Sequence, residues 1–164
     1  MPITSTFISS STGLTWNGAY HEIDSFDPIR ALPIEASGAI CFYGDKLVLV
    51  YAVKRNAWEM PGGGREAGET IEQGMIREIH EETNMKVLEL IPLGYDIQTS
   101  QASDQVWYHG RFAARVEPYG PFVADPDGGI TKIILIDPKD YKSYFDWGER
   151  SDAMIAKARK VLGV

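Results

Sequence analysis

Three glutamates, Glu78, Glu81 and Glu82, stand within five residues of one another. On a helix these positions would be neighbours on one face, where each like-charged pair costs roughly 0.2–0.5 kcal/mol. Near the C-terminal end of a helix, the dipole would add roughly 0.3–1 kcal/mol for each anion. A divalent cation offsets both costs, because hard cations prefer oxygen ligands and Mg²⁺ is typically shared between carboxylates and phosphates. The spacing therefore indicates a metal site, with a solvated acidic helix face as the alternative.

The surrounding residues predict the helix that would present these glutamates. Thr70 is a suitable N-cap, and Gln73, three residues later, completes a capping box. Asn84 predicts the end of the helix, since asparagine tolerates the left-handed conformation that terminates many helices. Apolar residues at helical spacing predict a buried face that points away from the acids. This face consists of Ile71, Met75, Ile76 and Ile79.

The rest of the chain predicts a mixture of strands and helices. A hairpin is predicted at residues 36–43 and 46–53, joined by a turn at Gly44-Asp45. A second helix, capped by Ser151, is predicted near the C-terminus. Because strands and helices are mixed rather than strictly alternating, the fold class is α+β. Further strands are predicted at residues 58–60, 86–99, 105–117 and 130–136.

Residues 1–35 are less regular and are predicted to form an N-terminal extension to a main domain of residues 36–164. Short strands are predicted at residues 4–9 and 14–16, and Asn17-Gly18 is a turn signal. The extension would be an extra hairpin packed on the domain or a contact between two copies of the chain. The sequence pattern does not distinguish these two alternatives.

Composition narrows the possible partners. The 164 residues suffice for one domain with a sizeable core. The formal net charge of −7 argues against polymeric nucleic acid, which requires a basic surface, but not against small phosphates that arrive with a metal ion. The apolar runs are far shorter than the roughly 20 residues that cross a bilayer, and residues 1–13 do not resemble a signal peptide. No membrane partner and a cytoplasmic location are therefore expected, with Cys41 buried.

From position 63 to position 85 the chain resembles the Nudix box, the sequence signature of the Nudix hydrolase family. The matching residues are Gly63, Glu69, Arg77, Glu78, Glu81 and Glu82. Chance agreement at these six positions is about 10⁻⁵ for a chain of this length. The one departure is Asn84 where the box has glycine, and asparagine can adopt the same left-handed backbone. The resemblance covers about residues 36–164 and implies an α/β/α sandwich with a mixed central sheet.

The resemblance implies a metal-dependent hydrolase. Glu78, Glu81 and Glu82 would bind Mg²⁺ (or Mn²⁺), and the backbone carbonyl of Gly63 would add a ligand. Bound metal ions neutralise a diphosphate and lower the pKa of a water molecule that attacks phosphorus.

The resemblance also implies roles for Arg77 and for a general base. Arg77 would pair with Glu69 and hold the loop against the helix, as arginine suits a fixed bidentate partner. The base that takes the proton from water varies within the family. The candidates here are two box glutamates and three acids on distant segments: Glu81, Glu82, Glu117, Asp125 and Asp127.

Several side chains are candidates for contacting the substrate. Aromatic rings could stack on a nucleobase, and core packing is the alternative for each ring. The candidates are Trp58, Tyr95, Trp107 and Tyr108, together with Glu117.

The run from Trp58 to Gly63 resembles the segment that precedes the box in enzymes acting on nucleoside triphosphates, including oxidised guanine nucleotides. The first candidate substrate is therefore a nucleoside triphosphate such as 8-oxo-dGTP, cut to the monophosphate and pyrophosphate. ADP-ribose, a nucleotide sugar and a dinucleoside polyphosphate are alternatives. A nucleotide-binding regulator without turnover and an acidic interaction module are alternatives of other classes. Homodimers are common in the family, so a homodimer is expected by analogy.

Overall fold

The sheet is the centre of the fold. The structure is a computed structural model that describes residues 1–9 and 12–164. The strands in these residues are β1 (Ile3–Ile8), β2 (Thr15–Glu22), β3 (Ile34–Tyr43), β4 (Lys46–Ala52), β5 (Ala57–Glu59), β6 (Gly62–Gly64), β7 (Met85–Ser100), β8 (Val106–Pro118) and β9 (Ile130–Ile136). They form one sheet in the order β1-β2-β7-β8-β3-β4-β5, with β6 paired to β3 and β9 paired to β4. The pairing of β3 with β8 is parallel and the other pairings are antiparallel, so the sheet is mixed.

Two α-helices pack on opposite faces of this sheet. Helix α1 (Ile71–Thr83) contributes to one hydrophobic cluster, and helix α2 (Glu149–Leu162) contributes to the other. Alternate residues of β3 divide between the clusters, since Cys41 faces α1 whereas Ile40 and Phe42 face α2. The α+β class and the α/β/α sandwich are therefore confirmed, and Cys41 is buried as predicted. Neither helix, in the part of the chain that the structure describes, is long and apolar enough to span a membrane.

The predicted ends of helix α1 are confirmed. The Gln73 N–H donates to the Thr70 hydroxyl at 3.1 Å, and the Thr70 N–H donates to the Gln73 side-chain oxygen at 2.9 Å. Asn84 ends the helix with φ of 53°, in the left-handed region. Ile76 was wrongly assigned to the buried face, because its side chain is 44% exposed. The other three apolar residues of that face are buried.

The described part of residues 1–35 contains the hairpin of β1 and β2. Strand β2 also pairs with β7, so this hairpin extends the central sheet. The turn predicted at Asn17-Gly18 is wrong, because both residues lie inside β2. Gly18 is present for packing rather than for a turn: a Cβ at this position would lie 2.5 Å from Cζ of Arg150 in α2.

The start of helix α2 also differs from the prediction. The helix begins at Glu149 after Gly148, and Ser151 is buried in its first turn rather than standing at the N-cap. The Ser151 hydroxyl donates to the Gly148 carbonyl at 2.9 Å and accepts from the Trp147 N–H at 3.1 Å. The serine therefore ties the preceding loop to the helix from inside the helix, a bonding pattern that sequence spacing does not distinguish from a cap.

Candidate functional site

The loop before α1 and the helix itself are packed closely together. The Gly62 N–H donates to Oε2 of Glu82 at 2.8 Å, which joins β6 to the last turn of the helix. A Cβ on Gly63 would overlap the Glu78 carboxylate, so only glycine allows this approach. The glycine-rich loop thus places two box glutamates directly against its backbone.

Arg77 holds three of the acids in one network. Its Nε donates to Oε1 of Glu69 at 2.8 Å and its Nη2 to Oε2 of the same residue at 3.2 Å. Its Nη1 donates to Oε1 of Glu78 at 2.9 Å and to Oε2 of Glu81 at 3.1 Å, and Nη2 also donates to the Gly64 carbonyl at 2.8 Å. The contact predicted between Arg77 and Glu69 is therefore present, and Glu78 and Glu81 each use one carboxylate oxygen for this network.

Glu82 is the most unusual acid of the site. It is 7% exposed and makes no salt bridge within the described residues. Burial raises the pKa of its carboxyl to about 8, an effect that the Gly62 N–H reduces and that the charges of Glu78, Glu59 and Asp125 reinforce. A carboxylate in this position has like charges around it and no salt-bridge partner within the described residues, since Arg55, which acts on it electrostatically, is bonded to Glu59.

Glu78 is in a similar electrostatic environment. Burial raises its pKa above the ordinary glutamate value, Arg77 acts in the opposite direction, and Glu81 and Asp125 raise it further. Asp125, one of the predicted base candidates, therefore acts electrostatically on both Glu78 and Glu82.

Glu59 and Arg55 also belong to this region, although the sequence pattern indicates no role for them. Glu59 on β5 bonds to Arg55 Nε at 2.9 Å, and its charge raises the pKa of Glu82. Strand β5 lies beside β4, with Glu59 opposite Val50. Glu59 and Arg55 come close to α1 only because β5 pairs with β4. Residue spacing in the sequence does not reveal this pairing. The one sequence feature that could have indicated a role for Glu59 is its place in the run from Trp58 to Gly63, just before the box.

The box glutamates provide the type of ligand atom that a hard divalent cation prefers. Within residues 1–9 and 12–164, no three His, Cys, Asp or Glu side chains are arranged as a metal-ligand set. The acids nevertheless offer only oxygen ligands, which Mg²⁺ and Mn²⁺ prefer. Glu78 and Glu81 each keep one oxygen that Arg77 does not bond, and Glu82 is buried without a cationic partner.

The aromatic candidates lie apart from one another. Trp58 packs against the core near α2, with ring contacts to Tyr51 at 5.3 Å and Tyr144 at 6.2 Å. Tyr95 stacks on His21 at 4.8 Å. Each of these rings therefore already has an aromatic partner within the protein.

Trp107, Tyr108 and Glu117 all lie on β8. Trp107 is 44% exposed, and its ring lies 5.4 Å from that of Trp16. Tyr108 is partly buried against the cluster that contains α1. Glu117 is exposed and stands opposite Lys86 of β7. Among the four ring candidates, Trp107 is exposed and the other three are partly buried.

The remaining acidic candidates lie in the loop after β8, and His80 of α1 is near this loop. Asp127 lies in the same loop as Asp125, whose Oδ1 accepts from the Asp127 N–H at 3.1 Å. His80 of α1 is exposed, with its ring 5.0 Å from Tyr119.

The family model described as NUDIX domain matches residues 33–157. This match covers most of the chain, and the chain therefore belongs to the Nudix family. A Caenorhabditis elegans protein named nudix hydrolase 1 is 37% identical over 91 residues, covering 54% of this chain and 23% of that protein. An RNA pyrophosphohydrolase of Zymomonas mobilis is 37% identical over 91 residues, covering 42% of this chain and 59% of that protein. The chain thus spans less than two thirds of either relative.

The fold has clear counterparts among solved structures. A pyrophosphohydrolase of Bacillus subtilis superposes with a TM-score of 0.65 and 21% sequence identity, covering 97% of this chain and 98% of that chain. Such coverage includes the N-terminal hairpin region as well as the box. At this identity the likeness establishes the shared fold.

Proposed function

We propose that this protein is a divalent-metal-dependent pyrophosphohydrolase that cuts a diphosphate linkage in a nucleoside diphosphate derivative. The observation that carries the proposal is the buried Glu82 carboxylate, which accepts a hydrogen bond from Gly62, makes no salt bridge within the described residues and is influenced by the charges of Glu78, Glu59 and Asp125. A solvated acidic face has no need to bury such a group, because burying an unpaired charge is costly. Membership of the Nudix family and the names of the two relatives support the same reaction class.

Different residues of the chain would have different roles in this reaction. Glu78, Glu81 and Glu82 would hold Mg²⁺ or Mn²⁺, with the Gly63 carbonyl as a further ligand. Bound there, the metal would supply charge neutralisation for the diphosphate and a more acidic water nucleophile. Arg77 fixes the carboxylates of Glu78 and Glu81 through its own hydrogen bonds.

The proton of the attacking water needs an acceptor. Glu82 is our first choice, because the Gly62 N–H fixes its Oε2 while Oε1 is not engaged in a hydrogen bond with the described residues. Glu81 and Asp125 are the alternatives. Glu117 and Asp127 are less suitable because both are exposed, whereas the charge of Asp125 acts on Glu78 and Glu82. A positioned base of this kind typically contributes 10²–10⁴-fold to a rate.

The first candidate substrate is a nucleoside triphosphate such as 8-oxo-dGTP, giving the monophosphate and pyrophosphate. ADP-ribose, nucleotide sugars and dinucleoside polyphosphates contain the same linkage and are the alternatives. A catalytically silent nucleotide-binding regulator is the alternative of another class. A cytoplasmic location and a homodimer remain predictions from the sequence.

A triphosphorylated RNA end is a second candidate substrate. The similarity to an RNA pyrophosphohydrolase favours it, since a 5′-triphosphate carries the same linkage. The formal net charge of −7 opposes a long RNA backbone as a partner. A short 5′-triphosphorylated oligonucleotide therefore belongs in any substrate panel.

The test is a panel of these compounds incubated with Mg²⁺ or Mn²⁺ and scored for phosphate and pyrophosphate release. We expect one class to be hydrolysed well above the others, with no release in the presence of a chelator. If 8-oxo-dGTP is cut no faster than dGTP, ADP-ribose or a nucleotide sugar, the first candidate substrate is wrong. Release from no member of the panel would favour the silent regulator.

Glu82→Gln and Glu81→Gln test the residue assignment. Each should lower turnover by about 10²-fold or more while the circular dichroism spectrum is unchanged. Glu72→Gln is the matched control, because Glu72 lies on the same helix but pairs with Arg30 at the surface. Near-full activity in both box variants would refute the assignment.

A further inference from the structure

Strand β1 is an open edge of the central sheet. It pairs with β2 on one side, and no other strand of the described residues pairs with it. Proteins often protect such an edge, with its unpaired backbone N–H and C=O groups, by charged side chains, proline or a bulge. The run from Ile3 to Ile8 contains no charged residue and no proline, and its register with β2 is regular. The edge is therefore open to a further strand.

Strand β9 is the other long strand with a single partner, since within the described residues it pairs only with β4. It differs from β1 because it carries Lys132, which is exposed. A lysine on an edge strand disfavours the approach of another strand. Of these two edges, β1 is the one that lacks this protection.

The charge distribution indicates a second copy of the same chain as the partner of β1. Each copy has a formal net charge of −7, so two copies attract each other least where their acidic surfaces meet. Residues 1–20 contain no Asp, Glu, Lys, Arg or His, although 24% of the whole chain is charged. The groove beside β1 is likewise lined only by uncharged residues of β1, β2 and β7. Two such hairpins can approach each other without placing like-charged side chains of the hairpins together.

The backbone hydrogen bonds of the hairpin show which groups of β1 point outward. The Thr15 carbonyl accepts from the Gln101 N–H at 3.0 Å, so the odd-numbered residues of β2 bond on the β7 side. The even-numbered residues of β2 then bond to the odd-numbered residues of β1 that lie opposite them. The bond from the Ser9 N–H to the Leu14 carbonyl, at 2.9 Å, fits this alternation. The even-numbered residues of β1 therefore direct their N–H and C=O groups away from β2.

These outward groups are arranged symmetrically about Thr6. The even-numbered residues of β1 are Thr4, Thr6 and Ile8, and all three are exposed. A second β1 that runs antiparallel, with a two-fold axis at Thr6, would place Thr6 opposite its own copy and Thr4 opposite Ile8. Each of these pairs would exchange two N–H to C=O bonds. The Ile8 side chain, which is 71% exposed, would pack against Thr4 of the second copy.

We propose that β1 pairs with β1 of a second copy of this chain, so that two central sheets join edge to edge with a two-fold axis at Thr6. One six-residue strand from each copy makes a small interface, and the dimer is therefore reversible. The pairing does not depend on the proposed function, because the box residues lie on α1 and the loop before it.

The first experiment measures association of the full chain by sedimentation velocity over a range of concentrations. We expect a monomer–dimer equilibrium that is half-complete at roughly 1–100 µM. Thr6→Lys should weaken dimerisation at least about tenfold, because two ammonium groups would stand opposite each other at the axis. Thr131→Lys is the matched control, since it places the same charge on an exposed threonine of β9. It should dimerise like the wild type.

Three results would overturn the proposal. They are a wild type that stays monomeric at about 1 mM, equal dimerisation by the wild type and Thr6→Lys, and loss of dimerisation in Thr131→Lys alone. Circular dichroism checks that both lysine variants are folded. Thr6→Lys should pass this check, because Thr6 is exposed and its side-chain bond to Asn17 lies at the surface.

The second experiment tests the register by disulfide formation between copies in a buffer of oxidised glutathione. Cys41 is buried, so an introduced cysteine is the accessible thiol. Thr6→Cys should form a cross-linked dimer, because its two Cα atoms would lie about 5.5 Å apart, within the range of a disulfide. Thr4→Cys is the matched control, since its Cα atoms would lie more than about 13 Å apart. Equal cross-linking in the two variants, or none in Thr6→Cys, would contradict the proposed pairing.

Discussion

Glu82 distinguishes this site from an ordinary acidic helix surface. The sequence predicts that Glu78, Glu81 and Glu82 are neighbours, because their spacing and the cap at Thr70 are local features. It does not predict that Glu82 is 7% exposed and bonded to Gly62, since that contact joins residues 20 positions apart. Burial is what changes the protonation chemistry of this acid.

Glu82→Gln should stabilise the metal-free protein at high pH. The pKa of Glu82 is raised to about 8 in the fold, chiefly by burial, whereas an unfolded glutamate titrates near 4.3. The native state is therefore penalised progressively as the pH rises from about 4.3 to about 8. We expect the variant to gain on the order of 2–4 kcal/mol in unfolding free energy at pH 8.5 and little at pH 4.5.

Urea unfolding of both proteins in a chelating buffer at the two pH values measures this gain. Glu72→Gln should show no gain at pH 8.5, because Arg30 outweighs the effect of burial and holds the pKa of Glu72 below its ordinary value. If the unfolding free energy of Glu82→Gln at pH 8.5 is equal to or lower than that of the wild type, the buried charge of Glu82 does not destabilise the native state.

The ends of helix α1 were predictable because capping is a local property. Asn84 adopts φ of 53°, and its Nδ2 donates to the Pro121 carbonyl at 2.8 Å. Asn84→Gly, which restores the usual residue of the box, should change the unfolding free energy by less than about 0.5 kcal/mol, because the easier backbone offsets the lost bond. Asn84→Ala should lower it by about 1–2 kcal/mol.

Chemical denaturation of the two Asn84 variants distinguishes backbone strain from the side-chain bond. Equal losses in both variants would show that the bond to Pro121 matters and the left-handed conformation does not.

Three local predictions about the elements were wrong, for different reasons. Asn17-Gly18 is a frequent turn pair, yet here it lies in β2 because Gly18 makes room for Arg150. Serine is a frequent N-cap residue, but Ser151 is buried inside α2. Ile76 has the spacing of the buried helix face but points to solvent. At Gly18 a contact from a distant part of the chain outweighs the local pattern, whereas Ser151 forms local bonds to Trp147 and Gly148 that resemble those of a cap.

The N-terminal hairpin is integrated into the molecule through the buried arginine. Arg150 of α2 reaches Ser5 on β1 and Asp96 on β7, and its guanidinium lies directly over Gly18. Local sequence features could not show this arrangement, since it joins residues up to 145 positions apart. The extension is therefore joined to the box domain by this buried contact, in addition to the ion pairs of Lys157 with Glu22 and of Arg30 with Glu72.

Gly18→Ala should loosen this contact. The added Cβ would lie 2.5 Å from Cζ of Arg150, and the arginine cannot move freely because it is bonded to Asp96 and Ser5. We expect a loss of about 1–3 kcal/mol in unfolding free energy, typical of overpacking in a buried site. Gly120→Ala is the control, because a Cβ there would meet nothing within 4 Å. Equal stability of the two variants would show that Arg150 has room to shift.

The central claim is that the box carboxylates hold a divalent cation against a diphosphate. A crystal structure with Mg²⁺ and a non-hydrolysable nucleoside triphosphate analogue tests it most directly. We predict metal density about 2.0–2.1 Å from oxygens of Glu82 and at least one of Glu78 and Glu81, bridged to the phosphates. An analogue bound elsewhere, with Glu78 and Glu81 still bonded to Arg77 and no ion beside Glu82, would contradict the account.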